Sequence, residues 1–245
     1  MSNTAVLIWK CVGVGITAAL LIAAVVWGYQ MTPNTTQCRS LEYIIEDRSE
    51  RMYLTENELT QLLRAENIYP VGQELNVLSL YRIEQAVRRH PMVRTAECYI
   101  TPRNEVKVRL TQRVPLLRVQ TPADAYFIDK DRRVMPVRAT VKDDVLLVTG
   151  AVGVQLASKS LADFAEWLQD NPYWSSRVRY AHVQSPQMVY LYLHQRPRVV
   201  MGNMRGFERK LAKLQTLFEC GANAINDKNY TELDVRFHGQ VIGRY

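Results

Sequence analysis

Residues 80–115 contain the pattern that decides the fold, and they read LYRIEQAVRRHPMVRTAECYITPRNEVKVRLTQRVP. Apolar residues recur at helical spacing over 80–90, and Pro91 marks the end of that helix. Two runs of alternating apolar and polar residues follow, at 95–101 and 105–111, with a turn between them. This stretch therefore predicts a helix followed by a β-hairpin.

A strand and another helix precede this stretch. Residues 41–47 (LEYIIED) read as a strand, and Thr55 and Glu58 form a capping box ahead of a short amphipathic helix. In such a box the hydroxyl and the carboxylate each accept a bond from a backbone N–H at the helix start. The order strand, helix, helix, strand, strand predicts an α+β domain at 41–113.

Before this domain lies an apolar run, residues 11–29, which reads CVGVGITAALLIAAVVWGY and contains no charge and no proline. At 1.5 Å per residue, a helix would place Trp9 and Trp27 about 27 Å apart, close to the thickness of a bilayer core, about 30 Å. Aromatic rings favour the headgroup level. The run predicts a transmembrane helix with Trp9, Lys10, Trp27 and Tyr29 as anchors at the membrane interface.

The charge next to the apolar run predicts the orientation of the chain. Lys10 is the only basic residue before it, and the positive-inside rule places residues 1–10 in the cytoplasm. The rival interpretation is a cleaved secretory signal, but the run is longer than a typical signal core and lacks a small-residue cleavage site. Residues 30–40 then form a polar linker to an extracytoplasmic region.

Composition argues against several classes of function. The 245 residues carry a net charge of +7, but arginines are spread along predicted strands and turns, without a basic stripe or RNA-binding motif. A nucleic-acid partner is therefore not expected. Cys11, Cys38, Cys98 and Cys220 show neither CxxC nor zinc spacing, which indicates structural thiols with one disulfide left open.

Residues 114–245 predict a mixed or antiparallel β domain with flanking helices. One helix is expected to be capped by Ser160 and Asp163 and to end at 171–172, and a stronger one covers 204–221. The last predicted strand covers 232–241, with Leu233, Val235 and Phe237 on its buried face. The other predicted strands cover 125–128, 134–135, 145–148, 178–183, 188–193 and 198–202.

No pattern of catalytic or metal-binding residues stands out. The four histidines are scattered without HxxxH or HExxH spacing, the serines lack a GxSxG elbow, and no glycine-rich phosphate loop occurs outside the apolar run. The sequence predicts a protein that is not an enzyme and has no catalytic residue, metal, cofactor or small-molecule substrate.

Several segments resemble the FtsQ/DivIB family of bacterial cell-division proteins. Arg113-Val114-Pro115 resembles the family's "ER-P" motif at the end of its POTRA domain, with Gln112 in place of the glutamate. Val200-Met201-Gly202 and 230–237 resemble the family's "V-x-G" strand and its tail strand, and the helix between them carries a similar basic pattern. The resemblance implies a POTRA domain at 41–113 and the family's β domain at 114–245.

The same resemblance implies a function and a site. FtsQ-type proteins are bitopic scaffolds of the division machinery, and their terminal strand receives FtsB, a small coiled-coil protein that also binds FtsL. On matching positions, the partner-binding residues would be Tyr230, Asp234, Arg236 and Phe237. Arg236 would bind a partner carboxylate with two hydrogen bonds, and Phe237 would anchor an apolar side chain.

Three alternatives stay open at this stage. The residues of the last strand could serve only the core of the domain. The protein could be a membrane-anchored envelope enzyme, which would need an acid/base or nucleophile constellation. It could also be a POTRA-bearing secretion or assembly component, which would normally carry several POTRA repeats or a long series of alternating strands.

Overall fold

The computed structural model describes most of the chain after the apolar run. Within that run, the described residues between 17 and 27 are helical and exposed, including Trp27. The predicted tail 1–10 and the predicted anchors Trp9, Lys10 and Tyr29 lie outside the described residues. No helix in the described part of the chain is long and apolar enough to cross a membrane. The described residues are 17, 19–25, 27, 36–47, 53–138, 141, 144–195, 197–220 and 230–245.

The first domain has the predicted order of elements. Its sheet has the order β1-β3-β2, with β1 parallel and β2 antiparallel to the central β3. Both helices contribute buried residues to the core, and the predicted face of β3 is buried at Val106, Val108 and Leu110. The elements are β1 (Ser40–Ile45), α1 (Glu56–Ala65), α2 (Leu80–Arg89), β2 (Val93–Ile100) and β3 (Glu105–Gln112).

The predicted capping box is confirmed at the start of α1. The backbone N–H of Glu58 donates to Thr55 Oγ1 at 3.3 Å, and the backbone N–H of Thr55 donates to Glu58 Oε2 at 3.1 Å. The two bonds satisfy donors that an uncapped helix would leave without a partner. They fix the start of the helix whose residues Leu59 and Leu63 enter the core.

The second domain is built on one mixed sheet of nine strands. Its order is β12-β11-β10-β9-β8-β7-β4-β5-β6, and α3 (Ala162–Gln169) and α4 (Phe207–Cys220) share one core cluster with the strands. The pairs β4–β7, β7–β8 and β10–β11 are parallel, and the others are antiparallel. The strands are β4 (Pro115–Gln120), β5 (Ala125–Asp129), β6 (Val134–Pro136), β7 (Leu146–Gly150), β8 (Val178–Ser185), β9 (Met188–Leu193), β10 (Arg198–Gly202), β11 (Glu232–Asp234) and β12 (Ile242–Arg244).

Two helix boundaries differ from the prediction. Ser160 does not cap a helix, because a helical turn at Val154–Leu156 and a π-helical segment at Ala157–Leu161 already lead into α3. The helix predicted from residue 204 begins later, at Phe207, after Gly206 takes a φ of +58° that a right-handed helix does not allow.

The prediction of one strand over 232–241 is wrong in its extent. β11 ends at Asp234, a turn that contains Gly239 at φ +75° reverses the chain, and β12 returns antiparallel to β11. Leu233 and Val235 are buried as predicted, in the core shared with the helices. Glu232 and Asp234 on the other face are buried as well, and Phe237 is exposed, so the predicted alternation of buried and exposed residues does not hold. Alternation identifies the buried face of a strand, but it does not show where the strand stops.

The two sheets meet where β3 ends and β4 begins. Gln112 is 1% exposed, and its Oε1 accepts the backbone N–H of Tyr53 at 2.9 Å and of Leu54 at 3.1 Å. Its Nε2 donates to Asp47 Oδ1 at 3.2 Å. A glutamate here could accept the two N–H groups but, when ionised, could not donate to Asp47. Gln112 therefore suits a junction in which its neighbour is already a carboxylate.

Further contacts cross between the two domains. Arg113 Nη1 lies 2.6 Å from Asp129 Oδ2 in a buried ion pair, and Arg94 donates two bonds to Asp131 at 2.8 and 2.9 Å. A small apolar cluster fills the space between the sheets. It consists of Tyr53, Met92, Phe127 and Met135. Apolar packing and paired charges thus join the two domains without a flexible linker.

We predict that Gln112→Glu destabilises the junction by about 1–3 kcal/mol at pH 8, because it places a second carboxylate beside Asp47 in a buried site. The free energy of unfolding, measured by urea titration, should recover toward pH 5, where the new carboxyl can bind a proton and donate. Adding Asp47→Asn should restore stability at pH 8. Equal stability of Gln112→Glu and the parent protein at pH 8 would contradict this account of the junction.

The stability of the first domain should depend on the protonation of His90. Burial, and then the nearby charge of Arg138, lower the pKa of His90 below its ordinary value of 6.5, although Glu58 opposes this. Neutral His90 accepts the Met92 N–H at Nδ1. Because the folded pKa is the lower one, this part of the stability is present above pH 6.5 and is lost as the pH falls below it.

Thermal melting at pH 7.5 and 5.5 checks this second prediction. His90→Gln should reduce the drop in melting temperature between the two pH values, whereas the same change at the exposed His238 should leave the drop unchanged. An unchanged drop in the His90→Gln protein would show that His90 does not titrate in this way.

Candidate partner-binding site

The end of the chain forms the outer edge of the nine-stranded sheet. β11 lies between β10, to which it is parallel, and β12, to which it is antiparallel. On its outer side β12 has no neighbouring strand among the residues that the structure describes. The unpaired N–H and C=O groups of such an edge can accept another strand.

A buried carboxylate, Glu232, holds this edge to the sheet. Arg198 approaches Glu232 Oε2 with Nε at 2.8 Å and Nη2 at 2.7 Å, and Arg244 Nη1 lies 2.9 Å from Oε1. The hydrogen bonds to Glu232 and then to Tyr192 raise the pKa of Arg198. Because two guanidinium groups share one carboxylate, one positive charge remains at the surface, where both arginine side chains are about half exposed.

The next carboxylate along β11 is also paired. Asp234 is fully buried, and Arg236 donates to it through Nε at 2.9 and 3.1 Å and through Nη2 at 2.7 Å. Burial alone would raise the pKa of the Asp234 carboxyl, but the hydrogen bonds and charge of Arg236 outweigh it and the pKa is lowered. The pair fixes the Arg236 side chain across Gly202, where a Cβ would lie 2.9 Å from the Arg236 side chain.

Lys213 on α4 holds the turn between β11 and β12. Its Nζ donates to three backbone carbonyls of that turn, those of Val235, Phe237 and Gln240. Turn carbonyls need a partner when they pack against a helix. One ammonium group with three donors therefore fixes the loop that positions β12.

Tyr230 packs against the middle of β12 and stacks on Tyr245. The Tyr230 and Tyr245 rings stack with centroids 4.8 Å apart, and a Cβ on Gly243 would lie 2.4 Å from the Tyr230 ring. Glycine is thus required at residue 243 because the ring occupies the space of a side chain. Beside the strand lies a groove of about 640 Å³. Its lining includes Tyr192, Arg198, Glu232, Arg244 and Tyr245.

Large apolar side chains are exposed around the same edge. Phe237 is 42% exposed, Ile242 37% and Tyr245 75%. The edge therefore combines unpaired backbone groups, a surplus guanidinium charge and apolar surface. This combination suits an extended peptide that carries a carboxylate and an apolar side chain.

The structure brings together the four residues predicted from the sequence but gives them different roles. Tyr230 packs on β12, and Phe237 is exposed on the turn. Asp234 has no exposed surface with which to touch a partner, and the Arg236 guanidinium that was expected to bind a partner carboxylate already binds Asp234. In this structure Asp234 and Arg236 shape the turn, and Phe237 remains the exposed candidate.

Sequence reasoning missed Arg198, Lys213, Gly243 and Arg244. Arg198 and Lys213 come from β10 and α4, and only the tertiary fold brings them to the end of the chain. A local signal existed for Asp234 and Arg236, since residues two apart lie on the same face of a strand. Glu232 and Arg244 are cross-strand neighbours, which becomes visible only when 232–241 is divided into a hairpin.

A second groove, of about 590 Å³, lies on β7, β8 and β9 and contains a hydroxyl beside an imidazole. Thr149 Oγ1 is 2.9 Å from His182 Nδ1, but no carboxylate is bonded to His182 among the described residues. The described residues also contain no group of three or more His, Cys, Asp or Glu side chains that could hold a metal ion. The arrangement lacks the third member that orients a catalytic base.

The described cysteines are present as thiols. Cys38 is buried, Cys98 is half-buried and Cys220 is exposed, and none forms a disulfide in this structure. Burial raises the pKa of the Cys98 thiol to about 12. A thiol with so high a pKa is a poor nucleophile at neutral pH.

Comparison with known proteins divides the chain at the same place as the two sheets. Residues 36–111 match the family model of a POTRA-like domain, and residues 114–244 match the model described as FtsQ/DivIB, C-terminal related. The second match covers more than half of the 245 residues. No curated protein shows a significant match to the sequence.

We predict that Lys213→Met loosens the turn and β12 while the rest of the fold persists, because three turn carbonyls lose their donor. Hydrogen exchange of residues 235–244 should accelerate about tenfold, which corresponds to about 1.4 kcal/mol of local stability. Arg209→Met, an exposed position on the same helix, is the matched control and should leave exchange unchanged. Unaltered exchange in Lys213→Met would show that the lysine does not hold the edge.

Proposed function

The chain belongs to the FtsQ/DivIB family of bacterial cell-division proteins, and from this premise we propose that it is a non-catalytic scaffold of the division machinery. It holds an FtsB/FtsL-type complex near the septal cell-wall synthases. The observation that carries this proposal is the unpaired outer edge of β12, with arginines and exposed apolar side chains beside it.

The proposed topology is that of a single-pass protein of the inner membrane. Residues 11–29 cross the bilayer, with Trp9, Lys10, Trp27 and Tyr29 at its two interfaces. Residues 1–10 lie in the cytoplasm, and both folded domains lie in the periplasm at the division septum. The support for this topology is the length of the apolar run and the residues at its ends.

The proposed binding mode is strand addition. An extended segment of the partner lies along β12 and continues the sheet, so backbone hydrogen bonds supply affinity that does not depend on the partner's side chains. Two features of the edge then select the partner. The surplus charge at Arg198 and Arg244 favours a partner carboxylate, and the surface of Phe237, Ile242 and Tyr245 favours an apolar anchor.

The charges contribute more to selection than to affinity. Both arginines are about half exposed, and ion pairs at such positions contribute about 0.2–1 kcal/mol. Their removal should weaken binding only slightly, whereas distortion of the β12 backbone should abolish it. The first domain, in this proposal, helps recruitment to the septum through a surface that the structure does not single out.

Two other functions have less support. A secretion or assembly component is disfavoured because the match over 114–244 is to a cell-division family. A membrane-anchored envelope enzyme would have to use the groove at Thr149 and His182, where the described residues provide no carboxylate to orient the imidazole. Neither alternative accounts for the edge at β12.

The proposal is tested in dividing cells with the full-length chain and a photo-crosslinking amino acid at Ile242. We expect it to capture small single-span coiled-coil proteins of the FtsB/FtsL type, whereas the same probe at Val134, exposed on the opposite sheet edge, should not. When Gly243→Val is added to the protein that carries the crosslinker at Ile242, capture should fall at least about tenfold, because the valine side chain collides with the Tyr230 ring.

Gly153→Val is the matched control, since a Cβ at Gly153 meets no atom within 4 Å. Equal capture in the Gly243→Val and Gly153→Val proteins would move the binding site away from β12. Capture of no division protein by the Ile242 probe would overturn the proposed function itself.

A further inference from the structure

β2 is an edge strand of the first domain, but side chains occupy two of the backbone groups on its outer side. β2 ends the three-stranded sheet, so its outer side faces away from β3. An edge strand of eight residues would normally present a row of unpaired backbone groups. Near the middle of β2, the Ala96 carbonyl and the Cys98 N–H instead have partners, and both partners are side chains of α2.

Glu84 and Arg88 supply these partners. Glu84 Oε2 accepts the backbone N–H of Cys98 at 3.3 Å, and Arg88 Nε donates to the backbone carbonyl of Ala96 at 3.1 Å. The two side chains also bind each other, because Arg88 Nη2 lies 3.2 Å from Glu84 Oε1. We call Glu84 and Arg88 the edge-capping pair.

The edge-capping pair reproduces what a neighbouring strand would offer. A neighbouring strand would likewise supply an acceptor for the Cys98 N–H and a donor for the Ala96 C=O. The carboxylate and the guanidinium supply these two groups, and the ion pair between them sets their spacing. An incoming strand would have to displace both side chains and break the ion pair before it could bond to Ala96 or Cys98.

The helix spacing makes this arrangement possible. Glu84 and Arg88 are four residues apart on α2 and therefore lie on the same side of the helix, one turn from each other. Ala96 and Cys98 are two apart on β2, so their backbone groups point to the same side of the strand. A pair one helical turn apart can thus reach two backbone groups that lie two residues apart on a strand.

We infer that the edge-capping pair Glu84 and Arg88 closes β2 to strand addition, and that the strand it excludes is β2 of a second copy of this chain. Two open β2 edges are self-complementary, since antiparallel pairing of identical strands generates a symmetric dimer. The pair therefore keeps copies of the protein from joining through their β2 strands. This inference does not depend on the function proposed for β12.

The test compares Glu84→Ala/Arg88→Ala with a matched control, Glu66→Ala/Arg89→Ala, in the full-length chain in detergent. Arg89 and Glu66 also form an ion pair, with Nη2 at 2.8 Å from Oε2, but they bond to no strand edge. At low protein concentration, the Cys98 amide should exchange hydrogen about tenfold faster in the first variant and at the parental rate in the control.

At high concentration the Glu84→Ala/Arg88→Ala protein should form more dimer than the parent and the control do, as measured by light scattering. In these dimers the slow exchange of the Cys98 amide should return, because a second β2 now occupies the edge. A variant that stays in the parental state of association, or dimers in which Cys98 still exchanges fast, would overturn the inference. Parental exchange of the Cys98 amide in the Glu84→Ala/Arg88→Ala protein at low concentration would also overturn the inference.

A second variant keeps the test decisive if the double substitution unfolds the domain. Arg88→Met retains the aliphatic part of the side chain over the helix and removes the donor to Ala96 together with the ion pair to Glu84. It should show the same concentration-dependent association, more weakly. A folded Arg88→Met protein that shows no more association than the parent would equally overturn the inference.

Discussion

Backbone groups at the edge of a β-sheet need partners, and the way in which this protein meets that need organises both of its domains. β2 is closed by the side chains of Glu84 and Arg88. β6 is only three residues long and contains Pro136, which has no N–H to offer. β12 is held by contacts on its inner side, because Arg198 and Arg244 bind Glu232, and Lys213 on α4 binds the carbonyls of the preceding turn. The outer side of β12 has no neighbouring strand among the described residues.

This difference between edges also explains why the end of the chain holds buried charges. Ionised carboxylates are costly to bury unless they are paired and hydrogen-bonded. Glu232 and Asp234 satisfy that condition through three arginines, which cover the sheet face that the helices leave open. Two of these arginines, Arg198 and Arg244, also border the groove beside β12, so the stability of the edge and its surface charge have one origin.

Much of the fold follows from local patterns. The capping box at Thr55, the helix that ends shortly before Pro91 and the hairpin after it are set by residues close together in sequence, and each was predictable. Interactions from distant parts of the chain were not. In the sequence, Gln112 is only a departure from a family motif, and the structure explains it by the bond to Asp47. The alternating pattern placed Glu232 on the exposed face, whereas in the structure it is buried and bound by Arg198. Alternation indicated that Leu233 and Val235 are buried, but only the turn at Gly239 revealed that the last segment is two short strands.

In the proposed function, the outer edge of β12 accepts a strand from a division protein. The most direct measurement is hydrogen exchange of the full-length protein in detergent, with and without a purified FtsB/FtsL-type complex. If a strand of the partner pairs with β12, the amides of residues 242–245 become protected when the complex binds, while those of Ala96 and Cys98 keep their exchange rates. Binding that protects other segments and leaves residues 242–245 unchanged would contradict strand addition at β12.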